Sequence, residues 1–181
     1  MSAGDMPASA RGMRRRILIA GVGYPFLHDW SIGNRLAAEF RERRWPAGVE
    51  IDDWSFGPVD AVFKLQGADP PYDRVVFFGA VERGREPGAV VRRFWDAGEL
   101  PPDPDVQARV SEAVTGVISL ENLVIICARF NALPREVVLI EVEPVSEEWG
   151  DGYSPAVQEN LPLLISYLES EATGAGLAAA A

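Results

Sequence analysis

The chain has 181 residues, of which 48% are hydrophobic and 24% charged, a length and composition typical of one globular domain. Its single cysteine and single histidine exclude an intramolecular disulfide framework, a cysteine-rich zinc module and any metal motif built on paired histidines. Its net charge of −10 leaves no basic face of the kind that a duplex-binding protein needs, so nucleic acid is not an expected partner.

The two ends of the chain lack the features of a folded segment. Residues 1–14 are small, polar and without periodicity, which predicts a disordered leader within which Met13 could be the true start. The short apolar run that follows has no cleavage site of a signal peptide, so we interpret it as the first buried strand of a cytoplasmic protein. No apolar run is long enough to span a membrane. The alanine-rich residues 172–181 predict a disordered tail, which leaves a single domain over 15–171.

Strand and helix patterns alternate along the rest of the chain. Continuous apolar runs predict strands at residues 16–22, 49–56, 74–81, 88–95 and 136–142. Apolar residues at helical spacing predict helices that begin at Ile32 after the capping Ser31, at Pro58, at Val106, after Ser119 and at Pro155. The last helix runs to about Ser170, and its internal Pro162 predicts a kink or a later start. Prolines predict a loop over residues 96–105.

This alternation implies an α/β fold, a three-layer sandwich in which a mostly parallel twisted sheet has helices on both faces. Ligands of such sheets bind beyond the carboxyl ends of the strands, near the point where the strand order reverses. A functional site is therefore expected among the loops that follow Val22, Phe56, Val81 and Glu143.

The loop after the first strand contains two glycines and the only histidine. A dinucleotide-binding fingerprint would need a third glycine where Phe26 stands, three residues after Gly23. His28 and Asp29 are the only adjacent histidine–acid pair, but neighbours on an extended loop diverge, and no motif of a serine or cysteine nucleophile is present. Asp29 could instead accept hydrogen bonds from backbone N–H groups or cap the first helix.

Carboxylates are the remaining chemical groups. Asp29, Glu82 and Glu121 could converge at the carboxyl edge of the sheet, as oxygen ligands for magnesium or calcium or as an acid pair. Solvated or helix-capping acids are the alternative interpretation. Cys127 lies on an apolar helical face, which predicts a buried structural thiol.

The loop at 146–154 places aromatic residues between glycines and acids. Trp149 and Tyr153 either contact a partner peptide or fold back onto the core. The loop belongs to a segment, residues 136–171, that contains nine acidic residues and no basic one. The sequence alone leaves these two alternatives open.

In order and spacing, these features resemble the hydrogenase maturation endopeptidases, a family whose members remove a C-terminal extension from the large subunit of nickel–iron hydrogenases. The resemblance covers about residues 15–170, and its best parts are ILIAGVGYPFLHDWSIGNRLA, DRVVFFGAVERGREPGAV and VVLIEVEPVSEEWGDGYSPAVQENLPLLISYL. It implies that the protein partner is a hydrogenase large subunit. The substrate-binding residues that we predict with it are Gly21, Gly23, Trp30, Trp149, Gly150 and Tyr153.

Members of the family that this chain resembles read the nickel ion of the immature substrate, that is, they recognise it, with two acids and a histidine. At the matching positions this chain has Trp30, Gly79 and Val117, and no histidine follows His28. We therefore expect a degenerate nickel-reading site with no metal ligand and no cofactor of its own. Asp29, which is retained, is then the predicted catalytic residue if any catalysis remains.

The sequence supports three hypotheses and leaves open whether the protein is an enzyme. The first is a monomeric binding or assembly factor for a hydrogenase large subunit. The second is an active endopeptidase whose displaced site uses Asp29 with His28, Glu82 or Glu121. The third is a scaffold recruited to small-ligand binding, with Trp30 and Phe56 lining an apolar pocket.

Overall fold

The computed structural model describes residues 15–96, 98, 100–113 and 118–174. The predicted leader, most of the predicted tail and Val117 lie outside these residues. Within them, one sheet has the strand order β2-β1-β3-β5-β4. Its strands are β1 (Ile17–Gly21), β2 (Val49–Asp53), β3 (Arg74–Ala80), β4 (Val90–Phe94) and β5 (Glu136–Val142). All neighbours are parallel except the edge strand β4, which is antiparallel to β5.

Helices cover both faces of this sheet, which confirms the predicted three-layer α/β sandwich. They are α1 (Ile32–Arg41), α2 (Pro58–Gln66), α3 (Asp103–Ala113), α4 (Leu120–Arg129) and α5 (Pro155–Thr173). Successive strand residues alternate between the faces, so Leu18 packs in the core beneath α2 and α4, whereas Ile19 packs in the core beneath α1 and α5. None of the helices described here is long and apolar enough to cross a membrane.

Two helix boundaries, the start of α3 and the end of α5, differ from their predictions. α3 begins at Asp103, earlier than predicted, since Pro104 occupies the first turn, where a missing N–H needs no partner. α5 continues through Pro162 from its start at Pro155, so the later start is wrong. It also runs past the predicted end at Ser170 to Thr173 and ends where Gly174 adopts the left-handed conformation, with φ of 77°.

β1 and α1 approach each other so closely that only glycine fits at the contact. A Cβ atom at Gly21 would lie 2.1 Å from the carbonyl oxygen of Gly33, and one at Gly33 would lie 2.1 Å from that of Val22. The start of α1 is therefore held directly against the end of β1. This contact fixes the intervening loop at the carboxyl edge of the sheet.

A buried ion-pair cluster joins α5 to the opposite, amino-terminal end of β3. The side chains of Arg74 and Glu171 are only 2% and 0% exposed, and Arg74 donates a hydrogen bond to Glu171. Arg92 on β4 also donates to Glu171, and Glu136 accepts from the other side of Arg74. The cluster therefore ties the last helix to three strands.

Candidate functional site

The strand order reverses beside β1, because β2 lies on one side of it and β3 on the other. The loops that follow β1, β3 and β5 meet at this point. Leu27 forms a bridge with Gly150, and the buried carboxylate of Glu143 accepts hydrogen bonds from the backbone of Arg83 and Gly84. The predicted location of the site, at the carboxyl edge near the switch point, therefore holds three loops that are bonded to one another.

Asp29 lies at the centre of this junction. Its side chain is fully buried, and Oδ1 accepts a hydrogen bond from the backbone N–H of Ser154 at 2.7 Å. Oδ2 accepts from the N–H groups of Val145 and Ser146 at 2.9 and 3.0 Å. The expectation that Asp29 bonds backbone N–H groups is thus met, and the carboxylate holds both ends of the 145–154 loop. Its catalytic role stays a prediction.

His28 and Asp29 do not act as a pair in this arrangement. Within the described residues, the His28 side chain makes no hydrogen bond, and its ring lies beside Gly150, where an added Cβ would be 3.3 Å from Nε2. Gly150 has φ of 145° and donates its N–H to the carbonyl of Phe26 at 2.7 Å. Phe26 itself has φ of 65°, which is uncommon for a residue with a side chain.

The 145–154 loop divides its two aromatic residues between solvent and core. Trp149 is 77% exposed, whereas Tyr153 packs against the cluster beneath α1 and α5. Burial raises the pKa of Tyr153 above its usual value, and the guanidinium of Arg35 lies 5.1 Å from its ring centroid. Tyr153 therefore folds back onto the core, whereas Trp149 does not, and its contact with a partner peptide stays a prediction.

Trp30 forms a wall between two cavities at the loop junction, and its ring packs edge-to-face against Tyr24 at a centroid distance of 5.7 Å. One cavity, of about 210 Å³, is lined by Tyr24, Leu27, Trp30 and Glu147. The other, of about 180 Å³, is lined by Trp30, Ala80, Val81, Glu82, Ser119 and Glu121. Phe56 lines neither cavity and packs against Trp54 instead.

Two of the three carboxylates predicted to converge do so. Glu82 and Glu121 line the same cavity, but Asp29 is not among its lining residues because its carboxylate faces the backbone of the 145–154 loop. Glu121 is also paired with Arg83 at 3.2 Å. Within the described part of the chain, no three histidine, cysteine, aspartate or glutamate side chains come together as metal ligands.

Gly21 and Gly23, which we predict to contact substrate, are buried in this structure. An added Cβ at Gly23 would lie 2.6 Å from the carbonyl oxygen of Trp30, and the N–H of Gly23 donates to the hydroxyl of Ser55. Their visible role is to permit close packing between β1 and the start of α1. Their contact with a substrate stays a prediction.

Gly79 leaves no room for the acid that the family resemblance places at its position. An added Cβ would lie 2.2 Å from the carbonyl oxygen of Val22 and 3.3 Å from Cδ1 of Leu120. The neighbouring strand end has therefore closed over the space in which a carboxylate side chain would begin. The backbone at this position therefore has no space for an acidic side chain, and the sequence has none there.

We expect Gly79→Ala to lower the free energy of unfolding by about 1–3 kcal/mol, because the methyl group must displace the backbone at Val22. Urea denaturation measures this. Gly57→Ala is the matched control, since a Cβ there would meet no atom closer than 4.0 Å, and it should change stability by less than about 1 kcal/mol. Equal effects of the two substitutions would contradict the close contact at Gly79.

Sequence reasoning missed a buried carboxylate next to this position. Glu141 on β5 is paired with Gly79 in the sheet register and is fully buried. Its carboxylate accepts hydrogen bonds from Arg83, Arg85 and Arg93. The available signal was the lone glutamate inside the otherwise apolar run VVLIEV. A carboxylate that is buried with such neighbours needs cationic partners.

Burial raises the pKa of Glu141, but hydrogen bonds from Arg85 and Arg83 outweigh burial and lower the pKa below its usual value. Because folding lowers this pKa, the ionised Glu141 carboxylate stabilises the folded state at pH values above about 4.3, the usual pKa of an unfolded glutamate. This stabilisation is lost as the pH falls through the pKa of the folded state. We therefore expect Glu141→Gln to cost about 2–4 kcal/mol at pH 7 and progressively less below pH 4 or so.

Urea titrations from neutral to acidic pH measure this dependence. The matched control is Glu42→Gln, since Glu42 is exposed at the end of α1 and forms no ion pair within the described residues. A stability difference for Glu141→Gln that did not depend on pH would contradict a stabilising ionised carboxylate.

Cys127 is fully buried, as predicted, and burial raises the pKa of its thiol to about 12. It is therefore a structural thiol without the thiolate that a cysteine nucleophile needs. The described residues that line the two cavities at the loop junction therefore offer aromatic rings, the Ser119 hydroxyl and the Glu82, Glu121 and Glu147 carboxylates.

No family model matches the chain, and no curated protein matches it. Solved structures do. A hydrogenase maturating endopeptidase from E. coli is 25% identical with a TM-score of 0.64, over 89% of this chain and 94% of that one. A hydrogenase 2 maturation peptidase from a Thaumarchaeota archaeon is 23% identical with a TM-score of 0.58, over 88% and 99% of the two chains.

A [NiFe] hydrogenase maturation protease from Thermococcus kodakarensis is similar over 86% of this chain and 92% of its own, at 22% identity and a TM-score of 0.52. The similarity extends over nearly the whole length of each of these proteins, and at such identities it reports on the fold. The chain therefore has the hydrogenase maturation protease fold, in a form whose sequence has diverged from the solved structures that share it.

Proposed function

We propose that this chain acts in nickel–iron hydrogenase maturation by binding the large subunit as an assembly factor that does not read nickel. One observation carries the proposal. The hydrogenase maturation protease fold is retained, while Trp30 and the closed backbone at Gly79 occupy the positions where the family resemblance implies two acids. Neither an indole ring nor a glycine has a lone pair to offer a nickel ion.

The state of the loops supports a binding role. The 22–31 and 145–154 loops are joined to each other by hydrogen bonds, and the large aromatic side chain of Trp149 is exposed beside them. A preformed surface of this kind contributes to affinity because little chain entropy is lost on binding. We propose that the protein is a monomeric pseudoenzyme and that it acts in the cytoplasm.

A second candidate is cleavage by a displaced carboxylate site. The observation that favours it is that Glu82 and Glu121 line one cavity together with Ser119. An acid pair can activate water if one carboxyl group is ionised and takes a proton from the water, while the other is protonated and donates its proton to the peptide carbonyl oxygen. Arg83 competes for the Glu121 carboxylate, which weighs against this candidate.

The test is to mix the purified chain with a nickel-loaded large-subunit precursor that carries its C-terminal extension. Co-elution in size-exclusion chromatography, with the precursor mass unchanged, supports the assembly factor. Loss of the extension, abolished in a Glu82→Gln/Glu121→Gln double variant, supports the endopeptidase instead. Failure to bind any large subunit contradicts both, and light scattering on the free chain tests the monomer.

A further inference from the structure

Two large aromatic side chains from different loops stack in solvent at the loop junction. Phe26 is 56% exposed and Trp149 is 77% exposed, and their ring centroids are 5.9 Å apart. Val145, at the start of the second loop, is 55% exposed. Exposed apolar side chains that cluster in this way mark interaction sites more often than isolated ones do.

The backbone beneath these rings is held in place from several sides. The Gly150 N–H donates to the carbonyl of Phe26, and the His28 N–H donates to the carbonyl of Gly150. Asp29 binds both ends of the 145–154 loop. The exposure of Phe26 and Trp149 is therefore a property of a bonded loop pair.

The cavity next to Phe26 combines aromatic walls with a carboxylate. Among the described residues its lining consists of Tyr24, Leu27 and Trp30 together with the charged Glu147, and its volume of about 210 Å³ admits a long side chain. Arginine and lysine have an aliphatic stem that packs on such walls and a cation that favours aromatic faces and carboxylates.

The charges around the cavity point to the same chemistry. Glu147 and Glu148 are exposed, and within the described residues neither forms an ion pair. Asp151 faces Arg35 at 3.5 Å, and residues 145–154 contain these three acids and no base. A basic segment is the charge complement of this face.

We propose that the surface formed by Tyr24, Phe26, Leu27, Trp30, Glu147 and Trp149 binds a basic segment of a partner protein. An arginine or lysine side chain of that segment enters the cavity and pairs with Glu147, while an adjacent apolar residue packs on Phe26 and Trp149. The inference deepens the proposed function and rests on it for the identity of the partner, the large subunit. The chemical preference of the surface is independent of that identity.

The test uses the full chain with nitrogen-15 in its tryptophan indoles, titrated with acetyl-Leu-Arg-Leu-amide and, in parallel, with acetyl-Leu-Glu-Leu-amide. The arginine peptide should shift the indole N–H signals of Trp30 and Trp149, and the glutamate peptide should not. Glu147→Gln should weaken binding of the arginine peptide about three- to tenfold, since one charge pair is lost. The matched control, Glu42→Gln at the opposite end of α1, should leave the affinity unchanged.

The inference is overturned if the arginine peptide causes no shift at concentrations on the order of 10 mM, if both peptides bind equally, or if Glu147→Gln binds undiminished. Peptide binding without large-subunit binding would sink the proposed function and leave the basic-segment preference standing. Large-subunit binding that survives Glu147→Gln and Trp149→Ala would keep the proposed function and reject this surface.

Discussion

Asp29→Asn should loosen the 145–154 loop and lower the free energy of unfolding by about 3 kcal/mol. The carboxylate now accepts backbone N–H bonds from Val145, Ser146 and Ser154. An amide side chain keeps one oxygen and turns its own N–H donors toward at least one of these N–H groups, which leaves a buried donor without an acceptor. Asp29→Ala, which removes both oxygens, should cost more.

Two measurements check this result. Urea denaturation gives the change in stability, and hydrogen exchange should accelerate at the amides of Val145, Ser146 and Ser154 while the amides of the sheet stay protected. The matched control is Asp151→Asn, whose side chain is 82% exposed and faces Arg35 at 3.5 Å, so it should change stability by less than about 1 kcal/mol.

The outcome also bears on catalysis. If Asp29 only positions the loop, Asp29→Asn should weaken binding of a partner to the Phe26 and Trp149 surface as well as lowering stability. If Asp29→Asn left hydrogen exchange in the loop unchanged, the contacts between Phe26 and Gly150 would be sufficient to hold it. The Asp29 carboxylate would then not be needed to hold the loop, and its predicted catalytic role would be the remaining explanation for it.

Glu171→Gln should have the largest effect among single substitutions, about 3–5 kcal/mol, because it removes the buried negative charge that Arg74 and Arg92 share and leaves Glu136 as the carboxylate partner of the buried Arg74. Arg74 and Glu171 are 2% and 0% exposed, and Arg92 shares the same carboxylate. The loss should detach α5 from the amino-terminal end of the sheet. Thermal and urea unfolding, with hydrogen exchange in α5, measure it.

Glu169→Gln is the matched control, two residues earlier on the same helix. Glu169 is 49% exposed and pairs with Arg43 at 3.2 Å, and exposed pairs of this kind contribute about 0–1 kcal/mol. Replacing the buried pair with apolar residues, as in Arg74→Met with Glu171→Leu, should recover much of the loss from Glu171→Gln. Similar effects of Glu169→Gln and Glu171→Gln would contradict the buried cluster.

The sequence predicted most of the fold because its signals are local. The apolar runs of β1 and β3 and the helical spacing from Ile32 to Phe40 depend on neighbours within a few residues. The start of α4 after Ser119 and the buried Cys127 followed from the same short-range patterns, whereas the capping role predicted for Ser31 was wrong, since its side chain makes no cap hydrogen bond. The direction of β4 did not, since a short strand pattern is the same for parallel and antiparallel pairing.

The sequence predicted where the candidate site lies, but it predicted only some of the interactions within it. Trp30, Glu82 and Glu121 meet at the carboxyl edge, as the topology of the sheet requires of loops that follow adjacent strands. Glu141 was missed as a bound carboxylate because its arginine partners come from the loop after β3 and from β4, more than 45 residues away.

By itself, the sequence determined the α/β architecture, the family resemblance and the missing histidine, because each is a property of residue order and composition. The tertiary structure alone decided what Asp29 does, since its three N–H partners lie 116, 117 and 125 residues further along the chain. It likewise decided that Trp149 faces solvent while Tyr153 is packed inward. The physical reason is that hydrogen-bond partners and exposure are set where distant loops meet, and no local periodicity carries that information.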